Sequence, residues 1–324
     1  GLLFLNYITF AIFSSFNVFF IKERFDKIFV YEPSPITVGI PGLVSKLRFN
    51  APIYFWVQDL WPESLRAAAG IENRFILNLF GCLTKLIYSQ SHKILVQSKA
   101  FIPYIIKQKV QAEKLMYYPN STESFYNDRS PDLNILSTLP KGFKVMFAGN
   151  LGEAQSFDTI LNAAKLLVKE DINVQFVILG NGRLKNYIEE KIIELGLGGQ
   201  VHLLGSFDSN IMPIYFSCAD ALLVSLKKDP IFSLTIPSKI QSYMACGKPI
   251  IASLDGEGAR IIEEAKAGFT SGAEDVIGLM QSVKKLLSLS IQDQIELGRN
   301  ARCYFEQEFE REILVDKLEW IFQK

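Results

Sequence analysis

TIPSKIQSYMACGKPIIASLDGEGARIIEEAKAG, running from Thr235 to Gly268, sets a helix start, a strand and a second helix start side by side. Pro237 has a fixed φ that suits the first turn of a helix, so Ser238 and Lys239 follow as the opening residues. The first N–H groups of a helix have no intrahelical partners and attract phosphate. The helix ends at Ala245-Cys246-Gly247, Lys248 to Ser253 reads as a short buried strand, and Gly256-Glu257-Gly258 begins another helix. In an open α/β sheet, the carboxyl end of such a strand is where ligands sit. The same residues also suit a helix cap, a C-terminal glycine and a buried strand that hold nothing.

Outward from this stretch the chain alternates strands with helices. KVMFAG, VQFVILG, VHLLG and ALLVSL read as strands, with helices opening near Ser156, Arg183 and Asp208. Upstream, KIFVYE, APIYFWV and KILVQS read as strands, separated by a helix from about Ile36 and by helices around Asn73 to Ser89. Asn127 to Gly142 is rich in Pro, Ser, Asp and Asn and reads as a linker. A chain of 324 residues exceeds what one core usually organises, so two domains are expected.

These motifs resemble the retaining glycosyltransferases of family 4. The resemblance rests on SYMACGKPIIAS, on QDLWPE at Gln58 to Glu63, on FAGNLGEAQS at Phe147 to Ser156, on LGNGRLK at Leu179 to Lys185 and on DPIFSLTIPSK at Asp229 to Lys239. The subgroup most similar includes the N-acetyl-L-fucosamine transferases of O-antigen synthesis and related capsule enzymes. It implies an α/β architecture of GT-B type, with two Rossmann-like domains facing across a cleft. The expected divisions are an acceptor domain at residues 1–126, a linker at 127–142, a nucleotide-sugar domain at 143–308 and a C-terminal helix at 309–324 crossing back to the first domain. The resemblance also places residue 1 after the family's first strands, so the first domain is expected to be incomplete and to lack the glycine-rich first loop.

The implied chemistry is transfer of a sugar, an N-acetylated amino or deoxy sugar, from a UDP-sugar to a polyprenyl-diphosphate-linked saccharide. No cofactor beyond the donor and no metal are expected. A diphosphate leaving group calls for positive charge and N–H dipoles. Lys239 sits at a helix N-terminus, where a cation is disfavoured unless an anion joins it, so it is the leading diphosphate contact; it would otherwise be an exposed lysine. Gly149, Asn150 and Gly152, with Gln155, form a loop that lets backbone approach phosphate. Much of the wider family carries Arg and Lys where this chain has Asn150 and Gln155, which leaves Lys239 or Arg183 to supply charge. Gly180, Gly182, Arg183 and Phe207 fall where the family holds the base, and Thr235, Pro237 and Ser238 complete the donor segment. The family's paired glutamates are replaced by Leu234 and Ser242. Ser242 could hydrogen-bond the ribose, and Glu257 is the substitute carboxylate, with a helix-terminal charge pair as its alternative role.

In the first domain Gln58 stands where many relatives carry His. Asp59 and Glu63 are therefore the catalytic-side candidates, orienting acceptor or donor sugar, or else capping the following helix. Two rival readings remain: a GT-B sugar-nucleotide epimerase, and a degenerate homologue acting as a partner subunit.

Composition bounds the rest. Lys plus Arg and Asp plus Glu each number 34, which disfavours a nucleic-acid partner. Between Asn73 and Ala112, Arg74, Lys85, Lys93, Lys99, Lys107 and Lys109 face no acidic residue and alternate with aromatic and aliphatic ones, which suits an anionic membrane surface or a pair of solvated helix faces. Residues 1–21 carry no charge and are long enough to span a bilayer, but Asn6, Thr9, Ser14, Ser15 and Asn17 dilute them, so a buried or interfacial helix is expected, with a membrane span as the alternative. Cys82, Cys218, Cys246 and Cys303 have no metal-ligand spacing, and with two histidines a zinc site or a Ser–His triad lacks material. The expected location is cytoplasmic, peripheral to the inner membrane.

Overall fold

The computed structural model describes residues 2–69 and 71–324 and divides into two compact units: Gly1–Pro119 with Leu318–Lys324, and Asn120–Lys317. The first position of the uncharged stretch, Gly1, lies outside the described residues.

The first unit contains α1 (Leu2–Val18), β1 (Ile28–Glu32), α2 (Gly39–Phe49), β2 (Ile53–Val57), α3 (Glu63–Ala69), α4 (Arg74–Gln90), β3 (Ser91–Val96), α5 (Phe101–Lys107) and β4 (Leu115–Tyr117). Its strands are all parallel in the order β1-β2-β3-β4. The Asn73 side chain caps α4 by accepting from the N–H groups of Phe75 and Ile76, so this helix starts where its cap chemistry says it should. The helix expected from Ile36 opens with a single tight turn, Ile36–Val38, before α2.

α1 is not a buried helix. Ala11 and Val18 are covered, while Phe10, Ile12, Phe13 and Phe16 are exposed. Three of its polar residues find partners within the helix: the hydroxyls of Thr9 and Ser15 and the amide of Asn17 donate to carbonyls one turn back. Among the described residues, no helix is long and apolar enough to cross a membrane.

The second unit continues with α6 (Leu133–Thr138), β5 (Phe143–Ala148), α7 (Phe157–Lys169), β6 (Val174–Leu179), α8 (Lys185–Glu194), β7 (Val201–Gly205), α9 (Met212–Ser217) and β8 (Ala221–Ser225). After these come α10 (Pro230–Leu234), α11 (Ser238–Ala245), β9 (Ile250–Ser253), α12 (Glu257–Glu264), β10 (Gly268–Ser271), α13 (Val276–Leu287), α14 (Ile291–Glu308) and α15 (Arg311–Gln323). The parallel order β10-β9-β8-β5-β6-β7 makes β5 the first central strand, with the chain winding away on either side. The order therefore reverses between β5 and β8, and the crevice beyond their carboxyl ends is the switch point of the sheet. Val145, Phe147, Phe176, Ile178, Leu223 and Ile251 pack with α7 and α13 into one core.

The unit boundary falls at Pro119, and residues 127–142 include a short helix: Asp132 caps α6, and its carbonyl accepts from the Cys218 thiol within the second unit. The last helix runs from Arg311, but only Leu318–Lys324 joins the first unit, where Phe322 packs edge-on against Tyr54 and Phe29. On this helix Leu314 and Ile321 are buried and Ile313 is exposed.

Candidate functional site

The carboxyl ends of β5, β6 and β7 are tied together through glycines. Gly149 N–H donates to Leu179 O (2.9 Å), Leu151 N–H to Asn181 O (2.9 Å) and Gly180 N–H to Gly205 O (2.7 Å). A β-carbon on Gly180 would fall 1.9 Å from the Gly149 carbonyl oxygen, and one on Gly182 would fall 2.5 Å from that of Leu151. Gly149 and Gly180 also hold φ of +140° and +148°, so only glycine fits both loops without strain. Gly152 lies buried against the exposed Asn150 amide.

α11 enters this crevice from the other side of the switch. Its Tyr243 hydroxyl is buried and accepts from the Ala148 N–H at the last residue of β5 (3.1 Å). One turn earlier on the same helix face, Lys239 lies with Nζ 3.9 Å from the centre of the Phe147 ring and 2.5 Å from Gln155 Oε1. Among the described residues Lys239 forms no ion pair. Loss of water around the ammonium pushes its pKa down to about 7. The N-cap residues of α11 and α12, Pro237 and Gly256, offer no side-chain cap to the first turn. The α12 start is drawn close: a β-carbon on Gly256, at φ +74°, would meet the Ser233 carbonyl at 2.0 Å. Two uncapped helix starts, two glycine loops and one unpaired ammonium thus surround the same strand ends, an arrangement that attracts an anion.

The remaining candidates divide. Thr235 closes α10 with its hydroxyl on Ile231 O, Pro237 is the N-cap of α11 and Ser238 is exposed at its first position. Arg183 is exposed and 3.7 Å from Glu153, a surface pair of little energetic weight. Phe207 packs on Tyr215, ring centres 4.6 Å apart. Ser242 turns its hydroxyl to Thr122 (2.8 Å), and the buried Glu257 carboxylate takes two bonds from Arg260 (2.9 and 3.0 Å). Both groups named for the ribose therefore already have protein partners.

In the first unit, Asp59 is half-buried and Glu63 opens α3. Burial raises the Asp59 pKa, opposed by a hydrogen bond from Ser34. The residue that sequence reading missed is Glu32, fully buried at the end of β1, whose Oε2 accepts from the N–H groups of Gln58 (3.3 Å) and Asp59 (3.4 Å). Burial first, and the charge of Asp59 second, push its pKa well above 4.5. A signal was present: Ile28, Val30 and Glu32 share one face of a strand, and an acid in that alternation is a buried acid.

Residues 142–289 match the family model described as Glycosyl transferases group 1. WbjE of Pseudomonas aeruginosa, named as a probable glycosyltransferase, is 26% identical over 88% of this chain and 71% of its own length. WcaI of Escherichia coli (strain K12), named for glycosyl transfer in colanic acid biosynthesis, is 29% identical over 46% of this chain and 37% of its own length. The crystal structure of Anabaena Alr3699/HepE in complex with UDP superposes with a TM-score of 0.77 at 16% identity, covering 96% of this chain and 81% of that one. These matches support a glycosyltransferase of GT-B fold. The two parallel units described above are the two Rossmann-like domains of that fold, and the switch point of the second unit lies within the matched segment.

Proposed function

We propose that this glycosyltransferase retains configuration while moving a sugar, an N-acetylated amino or deoxy sugar, from a UDP-sugar to a polyprenyl-diphosphate-linked saccharide. The setting is O-antigen, capsule or exopolysaccharide assembly at the cytoplasmic face of the bacterial inner membrane. The observation that carries the donor half is Lys239: a desolvated ammonium with no carboxylate partner among the described residues, laid against the Gly149 loop at an uncapped helix start. A diphosphate supplies the missing anion. HepE crystallises with UDP and with UDP-glucose, which favours uridine as the nucleotide, read by main chain at Gly180, Gly182 and Phe207.

In the reaction the bond from the sugar's anomeric carbon to the diphosphate oxygen breaks, and the acceptor oxygen bonds to the same face of that carbon. The acceptor proton passes to the leaving phosphate, consistent with Gln58 standing where a histidine would otherwise serve as base. Lys239 and the two helix starts stabilise the charge that develops on the leaving group. Asp59 and Glu63 orient the acceptor. The names of WbjE and WcaI, and the exposed Phe75, Leu79 and Leu86 beside Arg74 and Lys85 on α4, support a surface-polysaccharide role at an anionic membrane.

The test is a panel of UDP- and GDP-sugars scored by melting temperature. Selective stabilisation by UDP-sugars supports the reading, and no shift with any sugar nucleotide contradicts it.

A further inference from the structure

A pocket of about 580 Å³, open to solvent, lies wholly within the first unit, lined by α3, α4 and α5 and by residues flanking them. Three cations line it, Arg66, Lys85 and Lys107, all exposed and none in an ion pair among the described residues. One carboxylate faces them, Glu63, whose Oε2 is buried without a hydrogen-bond partner. The floor at Gly81 is open, since a β-carbon there would meet only Pro62, at 3.9 Å.

The rim is apolar. Phe75, Leu79 and Leu86 form an exposed stripe along α4 next to the cavity-lining residues Asn78, Gly81, Cys82 and Lys85. Ile106, exposed on α5, adjoins Lys107. Cations inside and apolar side chains at the edge together match an amphiphile with an anionic head. The Glu63 carboxylate in the lining can accept from a hydroxyl close to that head.

From this juxtaposition we infer that the cavity binds the phosphoryl or diphosphoryl group of the acceptor, with Arg66, Lys85 and Lys107 on the phosphate oxygens and a sugar hydroxyl donating to Glu63. The α4 stripe receives the hydrocarbon tail. This inference rests on the lipid-linked acceptor proposed above and assigns its head group a seat.

Cys82 reports on the site because it is exposed and lines the cavity. The full chain carrying Cys303→Ser, which removes the other exposed thiol, is labelled with a neutral maleimide in the presence of inorganic pyrophosphate, farnesyl diphosphate or UDP. Severalfold slowing by farnesyl diphosphate at lower concentration than pyrophosphate is expected, and its loss in Lys85→Gln/Lys107→Gln. Equal protection by pyrophosphate keeps the phosphate seat and assigns it to a soluble diphosphate. No protection, protection that survives the double substitution, or stronger protection by UDP overturns the assignment. UDP-sugar binding is read separately by melting shift, so loss of Cys82 protection with that shift intact defeats the cavity alone.

Discussion

Lys239 and Gly149 compete for one space: a β-carbon on Gly149 would lie 2.7 Å from Lys239 Cε. The glycine is therefore what lets the ammonium lie along the phosphate loop. It also holds φ +140°, which a side chain rarely tolerates. Gly149→Ala should destabilise the protein by about 1–3 kcal/mol and displace Lys239. Chemical denaturation and UDP titration check this; wild-type stability with wild-type UDP affinity would show that neither the space nor the backbone matters.

The Lys239 pKa near 7 makes both stability and binding depend on pH. Between about 7 and the ordinary 10.5, the folded chain binds fewer protons at this site than the unfolded chain, so its contribution to stability rises with pH across that window. A bound diphosphate favours the ammonium, so binding above pH 7 takes up a proton. UDP affinity should fall from about pH 7 upward, by as much as about tenfold per pH unit. Calorimetry in buffers of different ionisation enthalpy measures the uptake; affinity independent of pH with no proton uptake refutes it.

Glu32 runs in the opposite sense. Its folded pKa lies well above 4.5, so the folded chain holds a proton that the unfolded chain has released, and stability present below about 4.5 is lost as pH rises through the folded value. Glu32→Gln keeps an oxygen for the Gln58 and Asp59 N–H groups and removes the ionisation. The melting temperature of Glu32→Gln should decline less than that of wild type from about pH 5 to about pH 8. Parallel curves would mean that Glu32 does not titrate in that range.

The second sheet was legible because its strands are apolar on both faces and end in glycine, a pattern that Phe143–Ala148 and Val174–Leu179 share with buried parallel strands in general. Lys239 was legible because a cation at a helix start is locally disfavoured. Ser242 was read as an open ligand group, yet packing settles its partner, Thr122; the charge pair read as the alternative role of Glu257 is present, with Arg260 one helical turn away. Residues 127–142 carry turn-forming chemistry, but the same Asp132 that signals a loop also caps a six-residue helix. The cavity beside Glu63 was invisible because Arg66, Lys85 and Lys107 come from three separate helices.

The central claim is that Lys239 holds the donor's diphosphate, and calorimetric titration of UDP into the full chain and into Lys239→Ala tests it most directly. A lost charge-assisted contact of about 1.5–3 kcal/mol predicts UDP binding weaker by roughly one to two orders of magnitude in the variant, with the fold intact. Equal affinity in the two proteins would contradict the account.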